Sequence, residues 1–380
     1  MDESDPDLLP EGLEDRLAHE ALAGQRVMRA MLDAMDAHGY DRVVPPLIEF
    51  ERSLAARMSG IRTRRMFRFV DPASLRTLAL RSDITPQIGR IAETRLAQAP
   101  RPLRLCYAGQ VVTIRGDGLD PARERLQVGA ELIGRDSVEA AAEVAGLAIE
   151  ALAAAGAKGI AIDFTLPDLV DTLAARTLPL PAERVEAVRA QLDAKDAGGL
   201  IAAGGGAFWP LLYATGTFDE AVRKLEAFDA GGALDGRIAG LRAIAERLSG
   251  TARITLDPTE RHGFEYQSWF GFTLFAEGVR GSLGRGGTYR IAREHGEGEV
   301  ATGFSLYPDT LSEGAAVAFE RNSLFLPLGH DPEAAARLRA IGWRTVAALD
   351  DRDRADASGC THVLAGAEPR RLGSQDASSR

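Results

Sequence analysis

Residues 123–134, Arg-Glu-Arg-Leu-Gln-Val-Gly-Ala-Glu-Leu-Ile-Gly, alternate apolar and polar side chains with the period of a β-strand. Leu126, Val128, Ala130 and Leu132 share one face and belong to a core; Arg125, Gln127, Gly129 and Glu131 share the other. At about 3.3 Å per residue, Gln127 and Glu131 stand roughly 13 Å apart, with a gap free of side chain at Gly129 between them. A small polar ligand fits such a floor, because Glu131 suits an ammonium and Gln127 offers both a donor and an acceptor. A solvated sheet face with a strand glycine is the competing reading of the same alternation.

Outward from this stretch, residues 103–114 (LRLCYAGQVVTI) read as its partner strand, joined to it by a polar loop with Gly116, Gly118 and Pro121. Upstream, residues 26–38 carry Val27, Met31, Leu32 and Met35 at helical spacing, with Gly39 as the residue that ends the helix. Residues 40–50 read as an extended segment stopped by Pro45 and Pro46. Downstream, Ser137 opens an Ala-rich helix that Gly156 closes, and 160–164 is a strand. Residues 165–250 read as mainly helical; 252–257, 271–284 and 299–307 return to strands, the middle one as a hairpin. Residues 323–366 form a small strand–helix–strand module. The expected architecture is α+β, an antiparallel sheet flanked by helices with a small α/β C-terminal module. Its parts are a core over 1–315, with the helical insertion at about 165–250, the module at 316–366, and a disordered tail at 367–380.

Other segments bear chemistry less directly. In Leu80-Arg-Ser-Asp-Ile-Thr-Pro86 an acid and a hydroxyl precede a helix with Pro86 at its start, so Asp83 or Thr85 serves as an N-cap or faces a ligand. In 259–267 (TERHGFEYQ), Arg261, His262, Glu265 and Tyr266 line a pocket or form a plain loop. Gly284-Arg-Gly-Gly-Thr-Tyr289 lacks the spacing of a phosphate loop, so a tight turn or a close backbone approach explains its glycines better. Arg62, Arg64, Arg65 and Arg68 read as a solvated basic loop, and Asp350-Asp351 as a surface turn. The six histidines show no HxxxH or HExxH pattern, and Cys106 and Cys360 stand in no CxxC, so neither a metal nor a disulfide framework is expected.

Composition sets outer bounds. With 45% hydrophobic and 26% charged residues the 380-residue chain is of ordinary globular type. A net charge of −10 argues against a nucleic-acid partner. No run approaches a membrane span and the acidic start is unlike a signal peptide, so a cytoplasmic location without membrane contact is expected.

Taken in order, these segments resemble the catalytic core of class II aminoacyl-tRNA synthetases of the histidyl type. LRSDITP resembles that family's LRPEGT segment, RERLQVGAELIG the end of its motif 2, and GFEYQ with GRGGTY its histidine-recognition segment and the strand after it. The resemblance spans roughly residues 8–315. It implies that Asp83, Thr85, Gln127, Glu131 and Tyr266 contact a histidine ligand. The family's histidine-recognition arginine falls on His262; either the adjacent Arg261 takes its place through a small loop shift or the ligand carboxylate is held differently. The family's two ATP-binding arginines fall on Thr113 and Thr310, with Pro308 expected to break the helix start. Without those cations the charge developing on phosphate lacks its main stabilisers, so adenylation is expected to be lost. A histidyl-synthetase-like core without them resembles the regulatory subunits of ATP phosphoribosyltransferase. That resemblance implies a non-catalytic chain with no cofactor, self-associated as a dimer. It would activate a short-form catalytic subunit and confer feedback inhibition by L-histidine, through linkage of about 1–3 kcal/mol. An active histidine-activating ligase and an RNA-binding module are the alternatives.

Overall fold

The computed structural model of the protein describes residues 8–55, 66–116, 121–261, 267–292, 298–311 and 322–373. They fall into two compact units, one within residues 1–316 and the other within 317–380.

In the first unit α1 (Ala18–Ala37) buries Val27, Met31, Leu32 and Met35 and ends at Gly39, where φ is +76°. It begins before the apolar stripe does, because Glu20 accepts from the Leu17 N–H at 3.2 Å and satisfies an end that buries little. Short pieces follow: β1 (Asp41–Arg42), β2 (Ile48–Phe50), α2 (Glu51–Ala55), β3 (Arg68–Val70) and β4 (Thr77–Leu80), then α3 (Thr85–Glu93). The β2–β4–β3 pieces make a small antiparallel sheet. The opening stretch is β6 (Glu124–Ile133), paired along its whole length with β5 (Leu103–Val112). Next comes α4 (Val138–Ala154), where Ser137 Oγ accepts from the Ala140 N–H at 3.2 Å and Gly156, at φ +95°, follows the end. β7 (Ala161–Thr165) leads into the insertion: α5 (Leu169–Ala174), α6 (Ala182–Asp193), α7 (Ala197–Ala202), a 3-10 segment (Gly206–Tyr213), β8 (Gly216–Thr217), α8 (Phe218–Phe228) and α9 (Asp235–Arg247). The chain then returns as β9 (Arg253–Leu256), β10 (Gln267–Phe275), β11 (Gly284–Ile291) and β12 (Glu299–Leu306).

Among the described residues the main sheet runs β1-β5-β6-β12-β11-β10-β7-β9-β8. It is antiparallel from β5 to β7, but the β1–β5 and β7–β9 joins are parallel, which the expectation of an antiparallel sheet did not include. The reason is connection length: between β7 and β9 the whole helical insertion serves as a crossover, and a crossover returns the chain in the same direction. Val128, Ala130 and Leu132 pack with α1 and α4 on one face, as the alternation requires. The other face is covered too, by Ile84 just before α3 and Ile88 within it, with Leu105, Tyr107, Tyr289 and Ile291. Gln127 and Glu131 are therefore buried, and the solvated-face reading of β6 is wrong.

One polar contact ties α4 to this sheet. Glu143 accepts from Arg104 Nε at 2.7 Å, Arg104 Nη2 at 2.8 Å and the Tyr40 hydroxyl at 2.9 Å. The Arg104 hydrogen bonds hold the Glu143 carboxyl below its usual range, while burial raises the Tyr40 phenol far above its own. Stability from a lowered carboxyl is present above the ordinary carboxylate range and lost as pH falls through the lowered value. Because the pair is partly solvated, Glu143→Gln is expected to cost only about 1 kcal/mol at neutral pH. Urea denaturation should show that difference vanishing in acid.

The second unit holds β13 (Ser323–Leu326), α10 (Pro332–Ala340), β14 (Arg344–Ala347), β15 (His362–Ala365) and β16 (Glu368–Arg371), in the sheet order β14-β13-β15-β16. β16 corrects the expectation of disorder from residue 367. Gly366, at φ +63°, makes the turn, and the polar segment pairs its backbone with β15 although it has little apolar surface to bury. Residues 374–380 of that tail lie outside the described residues. Among the described residues no helix is long and apolar enough to cross a membrane.

Candidate functional site

Asp83, Thr85, Gln127 and Glu131 come together on the α3-covered face of the main sheet. Asp83 Oδ1 accepts from the Thr85 N–H at 3.0 Å, an Asx turn just ahead of α3; the N-cap position itself is Ile84, with no side-chain cap, so neither Asp83 nor Thr85 is the N-cap. The same oxygen accepts from Gln127 Nε2 at 2.7 Å. Gln127 Nε2 also donates to Ser305 Oγ at 2.7 Å, and its Oε1 accepts from the Ile84 N–H at 2.9 Å. With both amide hydrogens and the oxygen engaged, Gln127 joins β6 to α3 and β12. It is a positioning residue before it is a ligand contact.

Glu131 is buried and receives hydroxyls from Tyr289 at 2.8 Å and Tyr107 at 3.2 Å. Burial pushes its carboxyl up to about 8, against the opposing pull of the Tyr289 hydrogen bond. Tyr107 also meets Thr85 Oγ1 at 3.0 Å and Ser305 Oγ at 3.2 Å. This phenol occupies the gap that the sequence assigned to a ligand. A Cβ on Gly129 would lie 2.5 Å from the Tyr107 hydroxyl and 2.4 Å from the Phe304 carbonyl oxygen. Gly129 exists so that Tyr107 can cross the strand.

The side-chain-free floor lies across the strands instead of along β6. Glu131 pairs with Gly303, Gly303 with Gly287, Gly287 with Gly271, and Gly271 with Thr165. Directly paired residues project to one face. Three adjacent strands thus present glycine beside Glu131, a width of roughly 10–15 Å at about 4.8 Å per strand. In this arrangement the glycines of 284–289 make a close approach within β11; they do not make a turn. Arg285 stands on the same face one row away, opposite Ser305 and Thr273.

Arg261 is not part of this group. Its N–H donates to Asp193 Oδ1 at 2.8 Å and its Nη1 to Glu186 Oε1 at 2.8 Å, both on α6, and it lines a cleft with Arg189, Arg237 and Trp269 that meets the Glu131 group only through Tyr289 among the described residues. The insertion supplies these carboxylates, which sequence proximity to the recognition segment does not reveal. Tyr266, His262 and Glu265 lie outside the described residues, as do Arg62, Arg64 and Arg65. Thr113 follows β5 with its hydroxyl on the Arg115 carbonyl at 2.8 Å. Thr310 lies in a helical turn at 309–311 that starts directly after Pro308, so the proline begins that turn where it was expected to break it. Sequence reasoning missed Tyr107, Tyr289, Ser305 and Arg285. The inward alternation of β5 and β11 was the available signal, but their meeting depends on register.

A family model described as histidyl-tRNA synthetase matches residues 12–311. The ATP phosphoribosyltransferase regulatory subunit of Rhodospirillum centenum is 43% identical over 369 residues, covering 94% of this chain and 95% of the relative. That of Paramagnetospirillum magneticum is 41% identical over 368 residues, covering 94% and 96%. Among solved structures, an ATP phosphoribosyltransferase regulatory subunit/histidyl-tRNA synthetase from Bacillus halodurans C shares the fold, with a TM-score of 0.81 at 23% identity over 96% of this chain and 99% of that one. Histidyl-tRNA synthetase from Nostoc sp. PCC 7120 does so at 0.74 and 15% identity, over 96% and 91%. On these matches, and with the polar floor and glycine row on a sheet of that kind, the chain belongs to the family of ATP phosphoribosyltransferase regulatory subunits, built on the histidyl-tRNA synthetase fold.

Proposed function

We propose that this chain is non-catalytic, that it activates the short-form catalytic subunit of ATP phosphoribosyltransferase in the first step of L-histidine biosynthesis, and that it confers feedback inhibition by histidine. The observation that carries the histidine part is Glu131, a buried carboxylate held by Tyr107 and Tyr289 at the end of the Gly303–Gly287–Gly271 row. A bound amino acid lies on the glycine floor with its ammonium at Glu131. Asp83, Thr85 and Gln127 fix the wall; the family resemblance adds Tyr266, outside the described residues, as a further ligand contact. Arg261 is tied to α6, away from this face, whereas Arg285 stands on it one row from the glycines and is the cation proposed for the ligand carboxylate.

Thr113 and Thr310 support the absence of adenylation, because neutral hydroxyls at both places leave the transferred phosphate uncompensated. Self-association as a dimer is supported by the exposed apolar side chains Val44, Leu47, Ile48, Phe69, Val70 and Leu75, clustered in sequence around the small β2–β4–β3 sheet. The net charge of −10 speaks for a protein partner over tRNA.

The test is phosphoribosyl transfer by the cognate short catalytic subunit, with and without this chain, during a histidine titration. Activity that requires the chain and falls with histidine is expected. Histidine-dependent ATP–pyrophosphate exchange by the chain alone is expected to be nil; measurable exchange would establish the ligase alternative.

A further inference from the structure

The cleft that takes Arg261 has a volume of about 550 Å³, within the range of small-ligand sites. Trp269, Val138 and Val300 give it apolar wall. Its charged lining is nearly balanced: Arg189, Arg237, Arg261 and Arg290 against Asp136, Asp168 and Asp171. A polyphosphate would meet standing carboxylates there, which disfavours a multiply charged anion.

The ion pairs in this lining leave defined atoms over. Arg237 places both Nε, at 3.1 Å, and Nη2, at 2.5 Å, on the same oxygen of Asp168, Oδ2. Arg189 gives its terminal nitrogens to Asp171 and Glu186, and Arg261 gives Nη1 to Glu186. Asp168 Oδ1, Arg189 Nε and Arg261 Nε are buried and have no hydrogen-bond partner among the described residues. Buried donors and acceptors without partners are costly, because desolvation is not repaid by a hydrogen bond. Two donors and one acceptor beside an indole face define a complement: an anionic oxygen group for the arginines, an N–H donor for Asp168, and a side chain for Trp269.

We propose that this cleft binds a free amino acid as its zwitterion, with the carboxylate at Arg189 and Arg261, the ammonium at Asp168 Oδ1, and the side chain against Trp269. Tyr289, which donates to Glu131, also lines this cleft, but the proposed ligand contacts are other residues and the proposal does not depend on the function proposed for the Glu131 floor.

Trp269 is its own reporter. The chain has three tryptophans, so Trp209→Phe with Trp343→Phe leaves only the one in the cleft. The full chain carrying these two changes is titrated with each of the common free amino acids, L-histidine included, while the emission is followed. One of them is expected to give a saturable change, and its N-acetyl and methyl-ester derivatives, each lacking one charge, to bind at least about 10-fold more weakly. Asp168→Asn, which keeps the shape of the side chain, should weaken binding by a similar factor with an unchanged far-ultraviolet spectrum and Tm, whereas Glu131→Gln should leave it unaltered. No saturable change up to roughly 10 mM would overturn the proposal. So would undiminished affinity in Asp168→Asn, or loss confined to Glu131→Gln, which would put the ligand on the sheet floor.

Discussion

Glu131→Gln is expected to raise the histidine concentration for half-inhibition by about 100-fold, with activation of the catalytic subunit changed by less than about twofold. Removing the charge leaves a ligand ammonium desolvated and unpaired, and truncating one partner of a buried charge pair costs on the order of 2–5 kcal/mol. In the parent, burial pushes the carboxyl up to about 8, so at neutral pH and without a ligand charge beside it the group is largely protonated. A cationic ammonium favours the ionised form, so histidine binding must release a proton. Affinity should therefore rise as pH approaches 8 and level off beyond it, and calorimetry at pH 7 in buffers of different ionisation enthalpy should register the release. The variant should show neither. Equal loss of activation and histidine sensitivity would remove the separation of roles proposed here.

The same group has a stability signature of definite sign. Its folded value lies above the ordinary 4.5, so its contribution is complete below that value and is lost as pH rises through about 8. Thermal melts of the parent should fall relative to Glu131→Gln across this window. Glu260, also raised to about 8 by burial and by its hydrogen bond with Asp163, loses stability over the same range in both proteins and cancels in the difference.

Gly303→Ala is expected to be strongly damaging at the site. A Cβ there would stand 1.5 Å from Glu131 Oε2 and 2.9 Å from the Ala130 carbonyl oxygen, in a paired strand that cannot withdraw. Overpacking of a core usually costs about 1–3 kcal/mol, and with Glu131 forced out of its tyrosine contacts the loss should reach or exceed about 3 kcal/mol. Guanidinium unfolding measures it. Because the worst contact is with a side chain, adding Glu131→Ala should recover part of the loss, and the double-mutant cycle should give a favourable coupling of about 1 kcal/mol or more. Additive losses would mean that backbone crowding against Ala130 alone sets the cost.

Much of the fold was legible from local pattern. The alternation in 123–134 placed β6 and assigned its core side correctly, because period-2 alternation depends only on neighbouring residues. Ser137 and Gly156 bounded α4 by their own capping chemistry. The site was legible in part: Asp83, Thr85, Gln127 and Glu131 do converge. The role given to Gly129 did not hold, because Tyr107 reaches the gap from the adjacent strand. Arg261 was misplaced because its partners, Glu186 and Asp193, enter from an insertion far away in sequence.

The sequence by itself determined which side of β6 packs on α1 and α4, both ends of α4, and the family to which the chain belongs. Those follow from local spacing and residue type. The tertiary structure alone decided which residues stand beside each other across strands: the glycine row next to Glu131, the phenol over Gly129, and the arginine cleft at the insertion. Cross-strand neighbours are fixed by the register of the hydrogen-bond ladder and by crossover length, and a shift of one residue reverses every face. No window along a single strand contains that information.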